Sequence, residues 1–547
     1  GRALEGLRLE HPFYEREVPV ILGEHVTLDA GTGAVHTAPG HGADDYEMGR
    51  RYGLPIDNPV GNDGRFVAGT PLFEGLSVFD ANPKIVETLR DKGRLIHFET
   101  YHHSYPHCWR HKSPVIFRAT PQWFLSMEKA GLRRDALAGI KTVEWIPSWG
   151  EQRITSMIET RPDWCISRQR AWGVPLAIFL HKETGDPHPQ TPELLEQVAE
   201  LVAEGGIEAW FALNPRHLLG DEALVYEKSG DVMDVWFDSG SVHHVLPAER
   251  PGLIPFPADI YLEGSDQHRG WFHSSLLLSV AGKGVAPYRQ VLTHGFTVDE
   301  KGRKMSKSLG NVIAPQKVVQ SLGADVLRLW VAATDYSGEI NVSDEILKRM
   351  SDSYRRMRNT VRFLLGNLAG FEPARDAVAA HEMVDLDRWA LARAAGLQEL
   401  VVEAYRKYEF HRIYQEVHNF CVVELGSFWL DILKDRLYTT PLRSLARRSA
   451  QTAMYHIAEA MVRWLAPILS FTAEEIWKFL PGKREASVFL STWWTLPSVA
   501  TAGDVDWDAV IALRTDVARE LERLRAAGEL GAPLEAAVDV YLDEAQH

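Results

Sequence analysis

The sequence predicts a multidomain α/β protein whose second half is mainly helical. Its 547 residues exceed the length at which a single hydrophobic core keeps growing. Between residues 116 and 338, apolar strand-like runs alternate with helical segments, which is the rhythm of a parallel α/β sheet. Residues 339–500 change to long helical periodicity with few Gly or Pro, which is typical of a helical bundle. A polar helix and a loop at about 186–229 interrupt the alternation and predict an insertion.

The two ends of the chain have patterns of their own. Residues 1–115 carry short β-type runs, VPVILG and GAVHTAP, and an Asn-Asp-Gly turn signal at 62–64. They predict a β-rich first domain. Residues 501–547 contain one more helical pattern, at 507–529, and predict the start of a further helical region.

The composition excludes several classes of protein. Apolar residues make up 45% and charged residues 24%, as in ordinary globular proteins, and no apolar run approaches the roughly 18 residues that span a bilayer. The three cysteines are far apart and form no C-x-x-C pair, which suits a reducing compartment and argues against a cysteine zinc site. We therefore predict a soluble cytoplasmic protein without membrane contact. The net charge of −15 means that any nucleic-acid contact must come from local basic faces.

The sharpest pattern is the loop DEKGRKMSKSLGN at 299–311, which follows a predicted strand. Lys304 and Lys307 lie in its Gly-flanked polar stretch. Two lysines on a mobile loop can neutralise negative charge that develops on a departing pyrophosphate. The alternative is a solvated basic turn, but the KMSKS string is rare by chance.

A second candidate site lies in YLEGSDQHRGWFHSSLL at 261–277, where a strand ends and a helix begins. In an open α/β sheet, ligands bind at that edge. Gly264 allows a close approach of a nucleotide to the backbone, and carboxylates such as Glu263 and Asp266 can accept hydrogen bonds from ribose hydroxyls. Helix capping by Ser265 or Asp266 is the simpler interpretation and is compatible with the first.

A third cluster gathers His36, His41, Asp44 and Asp45 within ten residues of a Gly-rich stretch. Such residues can bind zinc or manganese, so a metal-dependent hydrolase is one hypothesis. Side chains that merely close a Gly-rich turn are another.

The 299–311 loop resembles the KMSKS signature of the class I aminoacyl-tRNA synthetases. The 261–277 segment and DVWFDSGS at 234–241 are similar to the isoleucine-specific members of that family. The resemblance covers about residues 25–490. It implies a partial editing domain at 1–115, the C-terminal part of a Rossmann-like catalytic domain at 116–338, and an α-helical anticodon-binding bundle at 339–500.

The resemblance also implies roles for individual residues. Lys304 and Lys307 would be catalytic, and Trp236 and Trp271 would line the isoleucine pocket. The remaining residues expected to bind substrate or nucleotide are Glu263, Gly264, Asp266, Gln267, Met305, Ser306 and Ser308.

The first helix of the predicted bundle carries six basic residues that could contact tRNA phosphates: Lys348, Arg349, Arg355, Arg356, Arg358 and Arg362. Acidic residues in the same helix leave a merely solvated face as the alternative.

The Gly-rich stretch GTGAVHTAPGHGADDYEMG at 31–49 is similar to the editing domain of the isoleucine-specific members, which hydrolyses mischarged valine without a metal. His36 would contact the terminal adenosine or the ester, and Asp45 would hold the free amino group of valine. A second site is needed because one methylene gives only about 1–3 kcal/mol of discrimination, a limit for which isoleucine against valine is the standard illustration.

The resemblance implies a monomeric enzyme that uses ATP, with Mg²⁺, to join L-isoleucine to tRNA(Ile), releasing AMP and pyrophosphate, with no protein-bound metal in this chain. Three features of the family are absent from the 547 residues: a His-x-Gly-His element, a Thr-rich editing strand and a cysteine-rich zinc module. We therefore expect an incomplete fragment of a longer enzyme. The main alternative is a non-catalytic tRNA-binding protein derived from a synthetase. A metal-dependent hydrolase would leave residues 261–311 unexplained.

Overall fold

A computed structural model describes residues 1–27, 31–108, 110–499 and 505–541. Parts of the predicted segments 339–500 and 501–547, namely 500–504 and 542–547, lie outside the described residues. Within the described ranges the strands are β1 (Arg8–Glu10), β2 (Glu17–Pro19), β3 (Phe124–Leu125), β4 (Glu144–Ile146), β5 (Trp164–Cys165), β6 (Ser167–Arg168), β7 (Phe179–His181), β8 (Tyr226–Lys228), β9 (Val232–Met233), β10 (Ala258–Gly264), β11 (Tyr288–His294), β12 (Thr297–Val298) and β13 (Ile340–Asn341).

The α-helices of the same ranges are α1 (Ala43–Tyr52), α2 (Ala81–Asp91), α3 (Leu132–Ile140), α4 (Trp149–Glu159), α5 (Thr191–Gly205), α6 (Glu208–Ala212), α7 (Arg216–Leu219), α8 (Val235–Gly240), α9 (Val242–Glu249), α10 (Trp271–Lys283), α11 (Pro315–Leu322), α12 (Ala324–Ala333), α13 (Asp344–Asn367), α14 (Pro373–Asp376), α15 (Asp385–Arg406), α16 (Phe410–Asn419), α17 (Leu430–Thr439), α18 (Leu445–Leu465), α19 (Ser470–Trp477) and α20 (Trp507–Ala526). A π-helical segment, Phe420–Trp429, connects α16 to α17.

The chain divides into two compact units. The first comprises Gly1–Ser126 and Asp163–Asp234, and the second comprises Met127–Pro162 and Val235–His547. The two units are defined by contacts in space, whereas the four predicted segments are defined by changes in the sequence pattern. The four predicted boundaries therefore stay predictions.

The first unit contains short antiparallel strand pairs, β1 with β2, β6 with β9, and β7 with β8. The helix predicted in the insertion is α5, and its apolar face packs with β7 and α6 in a small core of Phe179, Leu194, Val198, Trp210 and Leu219. The structure has fewer strands before residue 115 than the apolar runs predict. The GAVHTAP run forms no strand, because most of it is exposed and no neighbouring strand among the described residues pairs with it.

The second unit begins with a parallel three-stranded sheet in the order β10-β11-β4. Helix α4 packs on β4, and α10 reaches the sheet through Trp271, which stacks on Tyr261 of β10, and packs in turn against α3. Register pairs Glu263 with Thr293 and Gly264 with His294. Both strands therefore end at the same edge of the sheet, as predicted for a parallel α/β arrangement.

A helical bundle follows, built mainly from α13 and α15 to α19 around one large hydrophobic core. Ser343 starts α13 by accepting a hydrogen bond from the Ile346 backbone N–H. The core also contains one fully buried carboxylate, Asp387, which accepts hydrogen bonds from Arg436 and from Ser449, the latter with an oxygen–oxygen distance of 2.5 Å. No helix of the described residues is both long and apolar enough to span a membrane.

Candidate functional site

The carboxyl-terminal edge of the sheet gathers the predicted nucleotide-binding residues of β10. Glu263 and Asp266 are exposed there, whereas Gly264 is buried. A Cβ atom at Gly264 would lie 2.8 Å from Asp266 Oδ1, so a side chain there would displace the Asp266 carboxylate. The edge therefore presents two exposed carboxylates on either side of a buried glycine, which suits hydroxyl donors of a sugar.

Gln267 connects this edge to the following helix. Its Nε2 donates to Asp266 Oδ2 over 3.1 Å, and its Oε1 accepts a hydrogen bond from the Trp271 backbone N–H over 3.0 Å. The amide thus satisfies the first backbone donor of α10 and orients the Asp266 carboxylate. The sequence predicted that Ser265 or Asp266 caps this helix. In the structure the capping side chain is Gln267, because its longer side chain reaches across the intervening turn.

The two predicted pocket tryptophans both lie near the start of α10. Trp271 stacks on Tyr261 with ring centroids 4.0 Å apart, and its Nε1 donates to the Ser239 carbonyl over 2.9 Å. Trp236 is 41% exposed and lies close enough to Gly270 that a Cβ there would come within 2.8 Å of its ring. Trp271 is therefore fixed by stacking and a hydrogen bond, while Trp236 offers an apolar face to solvent.

The 299–311 loop leaves its lysines at the surface. Lys304 and Lys307 are exposed, and Lys304 Nζ lies 4.5 Å above the Phe296 ring. Lys307 has no acidic side chain within 4 Å among the residues that the structure describes. Between them Met305 packs on the apolar cluster formed by α11, α12 and α13.

The two serines of the loop shape its single helical turn, Lys307–Leu309. Ser306 Oγ accepts a hydrogen bond from the Leu309 backbone N–H over 3.2 Å and lies 3.1 Å from Ser308 Oγ. The turn ends at Gly310, whose φ of 66° is left-handed and favours glycine. This local structure fixes the direction in which Lys307 leaves the chain.

A short connection joins the loop to the sheet edge. His294, the last residue of β11, is followed by Gly295 and Phe296, and Phe296 is the residue under Lys304. A Cβ at Gly295 would lie 1.8 Å from the Gly338 carbonyl oxygen, so only glycine fits. The structure thus brings the predicted catalytic loop and the nucleotide-binding edge to the same end of β11.

Three residues at this site were not assigned from the sequence. His294 is placed beside Gly264 by the strand register, which no local pattern indicates. Asp299 and Asn311 bracket the KMSKS string and form a hydrogen-bonded pair. Hydrogen bonds from Asn311 and from Arg303 hold the pKa of the Asp299 carboxyl well below its usual range, so it stays charged.

In the first unit His36 is exposed and Asp45 is half-buried. Asp45 Oδ2 accepts a hydrogen bond from the Ala38 backbone N–H over 3.1 Å, which joins the Gly-rich stretch to the first turn of α1. His41 Nδ1 lies 3.0 Å from the Phe117 carbonyl oxygen. Over the described ranges no group of three or more His, Cys, Asp or Glu side chains is arranged to hold a metal, so the metal-site hypothesis gains no support.

The basic face of α13 is partly neutralised. Arg349 pairs with Glu345, and Arg358 lies 3.3 Å from Glu475. Arg355 pairs with Asp352 over 2.9 Å. Lys348, Arg356 and Arg362 have no acidic partner within 4 Å in the described part of the chain. Three of the six basic side chains predicted to contact phosphates therefore form surface ion pairs. Such pairs contribute little to stability and can exchange partners.

Comparison with known proteins matches two family models. Residues 18–343 match the class I tRNA synthetases (I, L, M and V), and residues 387–541 match the anticodon-binding domain of tRNA ligases. The isoleucine–tRNA ligase of Nitrosococcus oceani is 64% identical over 100% of this chain and 58% of its own length. That of Methylococcus capsulatus is 62% identical over 99% of this chain and, again, 58% of its own length.

The chain thus spans about 58% of the length of the curated relatives that it matches. Among solved structures, Mycobacterium tuberculosis methionyl-tRNA synthetase in complex with methionyl-adenylate matches with a TM-score of 0.51 and 19% identity, over 72% of this chain and 70% of that one. This likeness shows the fold alone. The family models and the fold agree on a catalytic domain followed by an anticodon-binding domain, and the chain belongs to the class I tRNA synthetases of the I, L, M and V group.

Proposed function

We propose that this chain carries the C-terminal part of the catalytic domain and the anticodon-binding domain of an isoleucine–tRNA ligase. The observation that carries the proposal is the common location of the carboxylate edge and the two-lysine loop at one end of β11. The names of relatives 62–64% identical along the chain support isoleucine as the amino acid. The activity would convert ATP, L-isoleucine and tRNA(Ile) into isoleucyl-tRNA, AMP and pyrophosphate.

In the first step the isoleucine carboxylate attacks the α-phosphorus of ATP, and the bond to pyrophosphate breaks. Negative charge moves onto the leaving oxygens as that bond lengthens. The ammonium groups of Lys304 and Lys307 would stabilise this charge, more strongly in the transition state than in bound ATP. Mg²⁺ would arrive with the ATP phosphates, because it keeps most of its waters and is held mainly through substrate phosphates.

The sheet edge would hold the other half of the adenylate. Glu263 and Asp266 are exposed acceptors for ribose hydroxyls or for the substrate amino group. Gly264 keeps a side chain away from Asp266, and Gln267 holds Asp266 in place. The exposed face of Trp236, next to the fixed ring of Trp271, would receive the isoleucine side chain.

We further propose that residues near α1 take part in the hydrolysis of mischarged valine, with Asp45 binding the substrate ammonium and His36 the ester or terminal adenosine. Support comes from the family resemblance of the 31–49 stretch and from the half-buried position of the Asp45 carboxylate. The cytoplasmic location and monomeric state expected from sequence stay predictions.

The test compares Lys307→Ala with Lys301→Ala in the full-length protein in which this sequence occurs. Both lysines are exposed in the same loop, so the second variant controls for loss of positive charge. We expect Lys307→Ala to lower the turnover number of isoleucine-dependent pyrophosphate exchange about 10²–10³-fold, with the isoleucine KM unchanged. A raised KM at normal turnover would remove Lys307 from the chemistry. If wild-type protein bound tRNA(Ile) without catalysing exchange, the non-catalytic tRNA-binding protein would be the better description.

A further inference from the structure

The 299–311 loop is closed at its base by one buried carboxylate. Asp299 is only 7% exposed, and it accepts hydrogen bonds through both of its oxygens. Its Oδ1 accepts from the backbone N–H groups of Lys301 and Arg303, over 3.0 and 2.9 Å. Its Oδ2 accepts from Arg303 Nε over 2.9 Å and from Asn311 Nδ2 over 3.0 Å. The carboxylate thus ties the first turn of the loop to its last residue.

Asn311 uses both ends of its side-chain amide. While Nδ2 donates to Asp299, Oδ1 accepts a hydrogen bond from the Ser306 backbone N–H over 2.9 Å. Nδ2 also lies 3.4 Å from the Lys304 carbonyl oxygen. Asn311 therefore contacts the backbone on either side of Met305, between the two lysines.

The opposite orientation of the amide is excluded by its neighbours. A flipped Asn311 would direct its oxygen at the Asp299 carboxylate and its NH₂ group at the Ser306 N–H. Only an amide satisfies a carboxylate acceptor and a backbone donor at the same time. Asp would lack the donor, and Ala would lack both.

We propose that Asp299 and Asn311 are positioning residues, a pin at the base of the loop that sets where its two lysines lie. Neither side chain is required to touch substrate. Arg303 already pairs with Asp299 over 2.8 Å, so the carboxylate is neutralised within the loop and does not repel phosphates. The lysine side chains extend above this fixed base and remain exposed.

The catalytic consequence rests on the proposed function. If the pin presents the lysines to the leaving pyrophosphate, its loss displaces charges that act mainly in the transition state. A displacement of about 1 Å is enough to lower a rate by about two orders of magnitude. We therefore expect Asn311→Ala to lower the turnover number of pyrophosphate exchange about 10- to 100-fold, while the KM values for ATP and isoleucine change less than about threefold.

A double-mutant cycle gives the sharpest test. Asn311→Asp places two carboxylates about 3 Å apart and should be at least as damaging as Asn311→Ala. Asp299→Ala removes the other half of the pin and should also lower turnover at least as much as Asn311→Ala. Because neither side chain can hold the loop without the other, the turnover of the double variant D299A/N311A should exceed the product of the two single-variant losses by about tenfold, a non-additive result expected only of residues in contact. The control is Glu300→Gln, which removes an exposed charge next to the pin and should behave as wild type.

A second measurement does not depend on activity. The loop contains four trypsin sites, Lys301, Arg303, Lys304 and Lys307. Cleavage there should be about tenfold faster in Asn311→Ala, Asn311→Asp and D299A/N311A than in wild type, while the melting temperature of the whole protein stays within a few degrees.

The results separate the pin from the proposed function. Normal turnover and normal cleavage in Asn311→Ala would overturn the pin, and so would effects of Asp299→Ala and Asn311→Ala that are independent of each other in the double variant. A wild-type protein without isoleucine-dependent exchange would overturn the proposed function, and the trypsin comparison would still decide whether the pin holds the loop.

Discussion

Replacing Asp45 by Asn separates the charge of this side chain from its hydrogen bond. In the structure Asp45 Oδ2 accepts from the Ala38 backbone N–H over 3.1 Å, and an Asn side chain can accept the same bond through its carbonyl oxygen. The stability of Asp45→Asn should therefore stay within about 0.5 kcal/mol of wild type. Asp45→Ala loses the acceptor as well, and should cost about 1 kcal/mol.

The effect on editing should be larger than the effect on stability. A hydrogen bond between a carboxylate and an ammonium is worth about 1.5–3 kcal/mol, and a neutral amide retains only part of it. At 1.36 kcal/mol per tenfold change in rate, complete loss of the bond, as in Asp45→Ala, corresponds to a kcat/KM for valyl-tRNA deacylation lower by about 10- to 150-fold, and this range is the upper limit for Asp45→Asn. Isoleucine charging should stay nearly normal, so valyl-tRNA should accumulate.

The assay follows deacylation of purified valyl-tRNA, isoleucine charging and metal content in the full-length protein. Asp44→Asn is the matched control, because Asp44 is the preceding residue of the same helix turn and its side chain is exposed. Wild-type deacylation by Asp45→Asn would refute the ammonium-binding role. If Asp45→Ala lost charging and editing together while Asp45→Asn kept both, Asp45 would serve the fold alone. A loss of bound metal would revive the metal-dependent hydrolase.

Three further predictions concern other parts of the chain. Trp236→Ala should weaken isoleucine activation and reduce selection against smaller amino acids with little change in the ATP KM; an equal loss of ATP binding would indicate misfolding instead. Asp387→Ala should lower the free energy of unfolding by about 3–5 kcal/mol in urea titration, because it leaves the Arg436 guanidinium without its buried partner; a loss below about 1 kcal/mol would contradict this. Burial lowers the pKa of His456 to about 4, and its Nδ1 accepts a hydrogen bond from Trp494 Nε1 over 3.0 Å. Because the pKa of His456 is lower in the folded protein than in the unfolded chain, the contribution of its neutral form to stability is complete above about pH 6.5 and is lost towards pH 4. Between neutral pH and pH 4, the free energy of unfolding should therefore fall by about 3 kcal/mol less in His456→Gln than in wild type, as measured by thermal unfolding.

Patterns that are local in sequence predicted the helices and the central strands well. The helical repeat at 507–529 is α20, and the polar helix of the insertion is α5. The run ADIYLEGS forms β10 and leads into α10 as expected. Each element is determined mainly by residues within a few turns of one another, so spacing alone identifies it.

The first 115 residues were harder to predict because a strand is defined by a partner that is distant in sequence. The Asn-Asp-Gly signal does form a turn, with a Gly64 N–H to Gly61 carbonyl hydrogen bond of 3.1 Å and a left-handed φ of 74° at Gly64. Around it, Val60 and Phe66 form only a single bridge. The GAVHTAP run has the composition of a strand without a paired neighbour among the described residues, and composition cannot supply that neighbour.

At the candidate site, too, the identities of several residues could be predicted from the sequence, but the contacts between them could not. Lys304, Lys307, Glu263 and Trp236 could be singled out because their residue types match chemistry at a recognisable place in the chain. The pairing of Asp299 with Asn311 could not, since they lie twelve positions apart and neither is unusual in a polar loop. Their roles follow only once the chain has turned back and brought a carboxylate within 3.0 Å of an amide. For loops of this kind, we expect the charged groups that act on substrate to be predictable from sequence, and the hydrogen-bonding groups that position them to require a structure.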